Sequence, residues 1–123
     1  MSTVEITKAT FEETTQKEGI VLIDFWAAWC GPCKAFAPVF EAASKRHEDV
    51  TFAKVDTQAE QELARALDIQ AIPTIMAFRD GTLVFAQAGM LPAKALDELI
   101  SKVRGLDMAE LKAKMDKLAA EQG

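Results

Sequence analysis

Between Ile20 and Phe36 the chain reads IVLIDFWAAWCGPCKAF, and this run limits what the rest can build. Seven mostly apolar residues, Ile20 to Trp26, predict a strand buried on both faces, with Val21, Ile23 and Phe25 on one side and Leu22, Asp24 and Trp26 on the other. They lead through Ala27, Ala28 and Trp29 into Cys30-Gly31-Pro32-Cys33, after which Phe36, Val39 and Phe40 recur at helical spacings. A Cys-x-x-Cys where a strand hands over to a helix is a specific redox signature.

The spacing carries the chemistry. Residues three apart on a helix share a face, with β-carbons about 5–6 Å apart, so Cys30 and Cys33 can close a disulfide. Cys30 falls at the helix N-terminus, where unpaired N–H groups and the helix dipole favour a negative charge. A free thiol titrates near ~8.5, and this placement brings it toward neutrality. Pro32 lacks an N–H, but one in the first turn has no intrahelical partner anyway. Cys33, one turn inward, is the shielded thiol and acts second. A structural disulfide and a metal pair are the alternatives. Zinc takes four Cys or His ligands, and this chain holds two Cys and one His, so a metal site needs a second subunit.

Trp29-Cys30-Gly31-Pro32-Cys33-Lys34 resembles the active-site motif of the thioredoxin family without a substitution. The likeness extends, in order, through Asp24-Phe25-Trp26, Pro38, Lys54-Val55-Asp56, Ile72-Pro73-Thr74, Asp80-Gly81 and Gly89. It implies the thioredoxin fold: an α/β domain with a central mixed sheet of about five strands flanked by about four helices. It also implies general protein-disulfide reduction that maintains cellular redox balance, with no bound cofactor because the dithiol carries the two electrons. The partners it implies are disulfide-containing client proteins and a flavoprotein thioredoxin reductase drawing on NADPH. The Gly-Pro dipeptide is, by the same resemblance, the reducing version of the motif, against an exported oxidase or isomerase. A binding module with incidental thiols is the rival from another class.

Composition bounds the remaining options. Half of the 123 residues are hydrophobic, enough for one compact domain with a real core. Net charge is −5, with no basic run, which argues against nucleic-acid binding. No apolar run approaches the ~18 residues of a membrane span. The N-terminus, MSTVEITKATFEE, lacks the apolar segment of a secretory signal, so the expected location is the cytoplasm, where a catalytic disulfide is more usual than a structural one.

In chain order the patterns predict a strand at Val4–Ile6 and a helix opened by a capping box at Thr10–Glu13 and ending near Gly19. The strand Ile20–Trp26 precedes a helix from about Gly31 to His47, kinked by Pro38. A strand at Thr51–Asp56, a helix at Gln58–Leu67 and a strand at Thr74–Arg79 follow. Asp80-Gly81 is a hairpin turn into a strand at Leu83–Ala88, and a helix at Pro92–Val103 closes the unit. The family unit is expected over residues 1–105. Residues 106–123 form an extension in which Asp107 and Glu110 cap an amphipathic helix with Met108, Leu111, Met115 and Leu118 on one face. That face needs a surface, either its own domain or another chain; docking beside the Pro92–Val103 helix of its own domain is the expectation, as is a monomer.

Asp24, an acid inside an apolar strand, is expected to have a raised pKa and to take the proton Cys33 must lose; the alternative is a structural Asp paired with Lys54. The resemblance makes Asp24 the buried proton acceptor and Lys54 its modulator. It also makes the Ile72–Pro73 bond cis and places it against the cysteines, presenting backbone to an extended client. Trp29 is expected as an exposed platform and Trp26 as packing beneath the site. Gly31, Pro32, Ala71, Ile72, Pro73, Gly89 and Met90 complete the substrate groove by resemblance. Ala71 and Met90 depart from the smaller residues the family often has there. His47 is expected to be a solvated residue at a helix C-terminus with no catalytic role.

Overall fold

The computed structural model describes residues 3–122. The elements run β1 (Thr3–Glu5), α1 (Lys8–Thr15), β2 (Ile20–Trp26), α2 (Gly31–Arg46), β3 (Thr51–Asp56), α3 (Gln61–Ala66), β4 (Thr74–Arg79), β5 (Thr82–Ala88), α4 (Ala93–Arg104) and α5 (Met108–Gln122). The five strands lie in the order β1-β3-β2-β4-β5. β1, β3 and β2 are parallel, while β4 and β5 run antiparallel to their neighbours. The mixed sheet is the one expected from strands alternating with helices and then forming a hairpin.

β2 sits at the centre because both of its faces are apolar. Leu22 enters a core with Phe36, Phe40 and Ala43 of α2 and Leu96, Ile100 and Val103 of α4. Val21, Ile23 and Phe25 enter a second core on the other face, with Leu63 of α3 and Phe11 of α1 packed against it. Aromatic contacts stitch the first layer, Phe36 to Phe40 at 5.6 Å and Phe40 to Phe52 at 5.1 Å between ring centroids.

Where element ends differ from expectation, local hydrogen bonds explain the difference. α1 starts earlier than expected: Thr7 is its N-cap, and the cap bond runs from Thr7 N–H to Thr10 Oγ1 at 3.0 Å, so Thr10–Glu13 is not the capping box. Glu60 Oε1 accepts from Lys8 N–H at 2.8 Å, a tertiary partner for an orphan donor of that first turn. The helix ends at Thr15, short of Gly19. Gly19 has φ +90 and exchanges hydrogen bonds with Asp80, 2.7 Å through its own N–H and 2.9 Å through its carbonyl. Asp80 and Gly81 both have positive φ, as a two-residue hairpin turn requires. α3 starts at Gln61 because Asp56 Oδ1 accepts from the N–H groups of Gln58 and Ala59 at 2.9 and 3.3 Å, holding that stretch in a turn.

Two expectations fail on the helical side. His47 caps the C-terminus of α2 but is not simply solvated: its Nε2 lies 2.8 Å from Asp97 Oδ1 and its Nδ1 3.1 Å from Arg104 Nη2. Since the guanidinium only donates, Nδ1 accepts and the Nε2–H faces Asp97. Arg46 reaches the same Asp97 oxygen at 2.8 Å, and Arg104 pairs with Asp49, so a charged bridge ties α2 to α4.

The second failure is the tail. Asp107 Oδ1 does accept from Glu110 N–H at 3.0 Å, and the helix forms. Its apolar stripe is covered only at its start: none of its described residues is buried, Met108 and Leu111 are half-buried, and Met115 and Leu118 remain 45% and 55% exposed. Leu106 is the last residue that packs on the core. Deleting residues 108–123 should therefore shift the melting temperature by no more than about 2 °C, since only half-buried Met108 and Leu111 give up covered apolar area. Calorimetry of the truncated chain checks this, and a loss of about 5 °C or more would show that the helix packs somewhere.

Candidate active site

β2 and α2 build the centre of the site. After Trp26 the chain turns tightly, with Cys30 N–H donating to Ala27 O at 3.2 Å. Cys30 then becomes the N-cap of α2, in extended backbone with φ −88 and ψ 114. In the first turn, Cys33 N–H donates to Cys30 Sγ at 3.2 Å. The two residues are joined as a disulfide with Cα atoms 5.2 Å apart. The cap that stabilises the helix is thus a sulfur, and a thiolate at Cys30 inherits the same donor and the positive end of the dipole.

Exposure does not separate the two cysteines, at 4% for Cys30 and 3% for Cys33. What separates them is the space each faces. Cys30 lines an open groove of about 520 Å³ together with Trp29, Gly31, Pro32, Ala71 and Ile72. Cys33 lines a separate cavity of about 120 Å³ on the other side, with Trp26, Lys34, Ala37 and Lys54. Trp29 is 68% exposed at the rim of the groove.

The far wall of the groove comes from the segment before β4. The Ile72–Pro73 bond is cis, and Ile72 O stands 3.7 Å from Cys30 Sγ. Ile72 also packs against the small cluster of Ala27, Cys30 and Cys33. Gly89 N–H donates to Pro73 O at 2.8 Å, and Thr74 Oγ1 to Ala71 O at 2.5 Å, so backbone and side-chain bonds hold this wall in place. Gly89 and Met90 are not part of the groove lining: Gly89 has φ +101 just past β5, and Met90 is 40% exposed. Thr57, Ile69 and Gln70 do line it and were not singled out from sequence. Thr57 was legible in principle, since it directly follows the C-terminal end of β3, where sites of parallel strands gather. Ile69 and Gln70 lie in a loop whose path only the fold defines.

Asp24 lies beneath, on the α2 face of β2. It has no exposed surface, and neither carboxylate oxygen has a hydrogen-bond partner. Burial pushes its pKa from 3.8 up to about 7, opposed by the charge of Lys54 and reinforced by Glu5. The alternative of a structural Asp24–Lys54 pair is not what the structure holds: Lys54 Nζ sits over the Trp26 ring, 5.0 Å from its centroid. Trp26 packs against the cysteine cluster as expected, with its Nε1–H unpartnered. Among the described residues no group of three or more His, Cys, Asp or Glu is placed to hold a metal ion, and no helix is long and apolar enough to cross a membrane.

The same arrangement recurs in known proteins. The family model for thioredoxin matches residues 2–102. A relative from Streptomyces coelicolor is 49% identical over 122 residues, covering 99% of this chain and 91% of its own. The thioredoxin of Bacillus subtilis is 41% identical over 103 residues, 83% of this chain and 98% of its own. Among solved structures, a thioredoxin from Halobacterium salinarum superposes with a TM-score of 0.78 at 32% identity, over 85% of this chain and 94% of that one. A match across the whole sheet, its helices and both cysteines leaves one assignment: the chain belongs to the thioredoxin family, and is a protein-disulfide reductase working through Cys30 and Cys33.

Proposed function

We propose that Cys30 is the attacking thiol and Cys33 the resolving thiol of a general disulfide reductase that keeps client proteins reduced. The observation that carries this assignment is the space beside each cysteine: Cys30 lines the wide groove of about 520 Å³, and Cys33 a smaller cavity of about 120 Å³ beside Lys54. In the reduced protein the Cys30 thiolate, capped by Cys33 N–H, attacks one sulfur of a client disulfide and expels the other as a thiolate. A Cys30–client mixed disulfide results. Cys33 then passes its proton toward Asp24 and attacks Cys30 Sγ, which releases the second client thiolate and closes Cys30–Cys33. Two electrons move from the dithiol to the client, and no bound cofactor takes part. A thioredoxin reductase, with electrons from NADPH, reopens the bridge.

The remaining groups position these steps. Trp29, Gly31 and Pro32 form one lip of the groove, and Ala71 and Ile72 the other, where cis Pro73 sets the backbone of Ile72 to pair with an extended client segment. Gly89 braces Pro73 from behind, and exposed Met90 extends the contact surface beyond the groove. Lys54 modulates the charge on Asp24. Residues 1–105 act as the catalytic unit and residues 106–123 as an extension that supplies no reactive group. The chain works as a cytoplasmic monomer.

Two experiments test these roles. Cys33→Ser should accumulate mixed disulfides with client proteins on non-reducing gels, whereas Cys30→Ser should trap none; the reverse pattern would exchange the two roles. Asp24→Asn should slow turnover at neutral pH by about tenfold or more, as loss of a general base does. Its effect on stability has a definite sign. With a folded pKa near 7 against 3.8, the unfolded chain releases its proton first, so stability falls as pH rises from about 4 to 7. Asp24→Asn removes that penalty, which is at most about 4 kcal/mol at neutral pH, less what the unpaired amide itself costs. Melting curves should show the variant more stable at neutral and higher pH, with the gain shrinking toward pH 4. A gain of the same size at every pH would contradict the assigned titration.

A further inference from the structure

The row of side chains that contains Asp24 does not stop at Lys54. The sheet register pairs Asp24 of β2 with Lys54 of β3, and Lys54 in turn with Glu5 of β1. Directly paired residues point to the same side, so the three stand side by side on the α2 face, cation in the middle. One row further along, Trp26 pairs with Asp56. Lys54 makes no salt bridge with Asp24 or with Glu5; its Nζ rests over the Trp26 ring, one row along.

We propose that Glu5 is a positioning residue for the resolving step: by competing with Asp24 for the charge of Lys54, it sets the pH at which Asp24 can accept the Cys33 proton. This rests on the assignment of Asp24 as that acceptor. The physical argument is one of distance and screening. Strands lie about 4.8 Å apart, so the backbones of Glu5 and Asp24 are separated by about 10 Å across β3. Over that span, through a partly buried sheet face, a like charge disfavours ionisation of Asp24 without touching it. Glu5 also offers the Lys54 ammonium a second anionic partner, on the outer side of β3. Both effects hold Asp24 protonated to a higher pH, in line with the upward influence of Glu5 on its carboxyl.

Other charges near Asp24 leave this role open to Glu5. Besides Lys54, β3 contributes Asp56, whose Oδ1 is engaged by the backbone of Gln58 and Ala59. β4 places uncharged Ile75 opposite Asp24. α2 contributes Cys33, Lys34 beside Lys54 in the small cavity, and Glu41, which accepts from Thr3 Oγ1 at 3.0 Å. The buried residues of α4 are all apolar. Glu5 is exposed on an edge strand, so changing it alters charge without opening the core.

The test uses the full reduced chain with Glu5→Gln, Glu5→Lys and Glu5→Asp. The Asp24 side-chain carboxyl carbon is followed by NMR across neutral pH, together with the pH dependence of resolution of a preformed mixed disulfide. Glu5→Gln should lower the Asp24 midpoint by about half a pH unit and Glu5→Lys by about one unit, with the acid limb of the rate moving equally; Glu5→Asp should stay near the parent. Midpoints that do not move in Gln or Lys would overturn the proposal while leaving the role of Asp24 intact. In a Lys54→Gln background the Glu5→Gln shift should shrink by about half or more, as coupled sites require; an undiminished shift would overturn the competition for Lys54. A midpoint that moves without the rate limb would instead sink the assignment of Asp24 as acceptor.

Discussion

Burial of β2 on both faces is the constraint on which the rest of this molecule depends. Leu22 on one side and Val21, Ile23 and Phe25 on the other commit the strand to the middle of the sheet, with a helical layer over each face. That placement makes the chain emerge from the middle of the sheet, at the end where parallel β3 also finishes, and α2 starts after four residues. Cys30 therefore stands at a helix N-terminus for structural reasons, and its chemistry follows from that position. The disulfide, the cap and the strand exit are a single local solution.

The same burial creates the electrostatic problem beneath the site. Asp24 belongs to the strand that must be covered on both faces, so its carboxyl is enclosed without a hydrogen-bond partner. A pairing lysine would neutralise the cost and fix the group as an anion. Instead Lys54 lies over Trp26, close enough to influence Asp24 and too far to lock it. A carboxyl left near neutrality can exchange a proton; one in a tight ion pair holds its charge. Trp26 thereby serves two purposes, packing under the cysteines and giving the ammonium somewhere else to rest.

The periphery is organised by charge more than by packing. The His47, Asp97, Arg104 and Asp49 bridge joins the far ends of α2 and α4, away from the groove. α5 follows α4 and carries an apolar stripe that the domain covers only in part, with Met108 and Leu111 half-buried and Met115 and Leu118 exposed. Its cap and an internal Glu110–Lys114 pair at 3.2 Å support it locally.

Much of this was legible in the residues. β2 and β4 follow from strongly apolar runs, and β3 from a shorter one in which Phe52, Ala53 and Val55 are the apolar members. Cys30, Cys33 and Asp24 stand out because packing alone gives no reason for two cysteines at a helix start or for a lone acid in an apolar strand. Capping chemistry was less certain: several Thr and Glu residues near Thr7 and Thr10 can serve as a box, and a bond from Glu60 far along the chain helped decide which did. Likewise the amphipathic stripe of α5 determined that a helix forms, but not that Met115 and Leu118 on its apolar face stay exposed. Sequence by itself determined the periodicities and the reactive groups, because those are properties of neighbours along the chain. Tertiary structure alone decided that Lys54 rests on Trp26, that Glu5 shares the row of Asp24, and that Cys30 and Cys33 open into different spaces. Those outcomes depend on strand register and helix placement, where contacts between residues distant in sequence compete and small differences in burial choose among them.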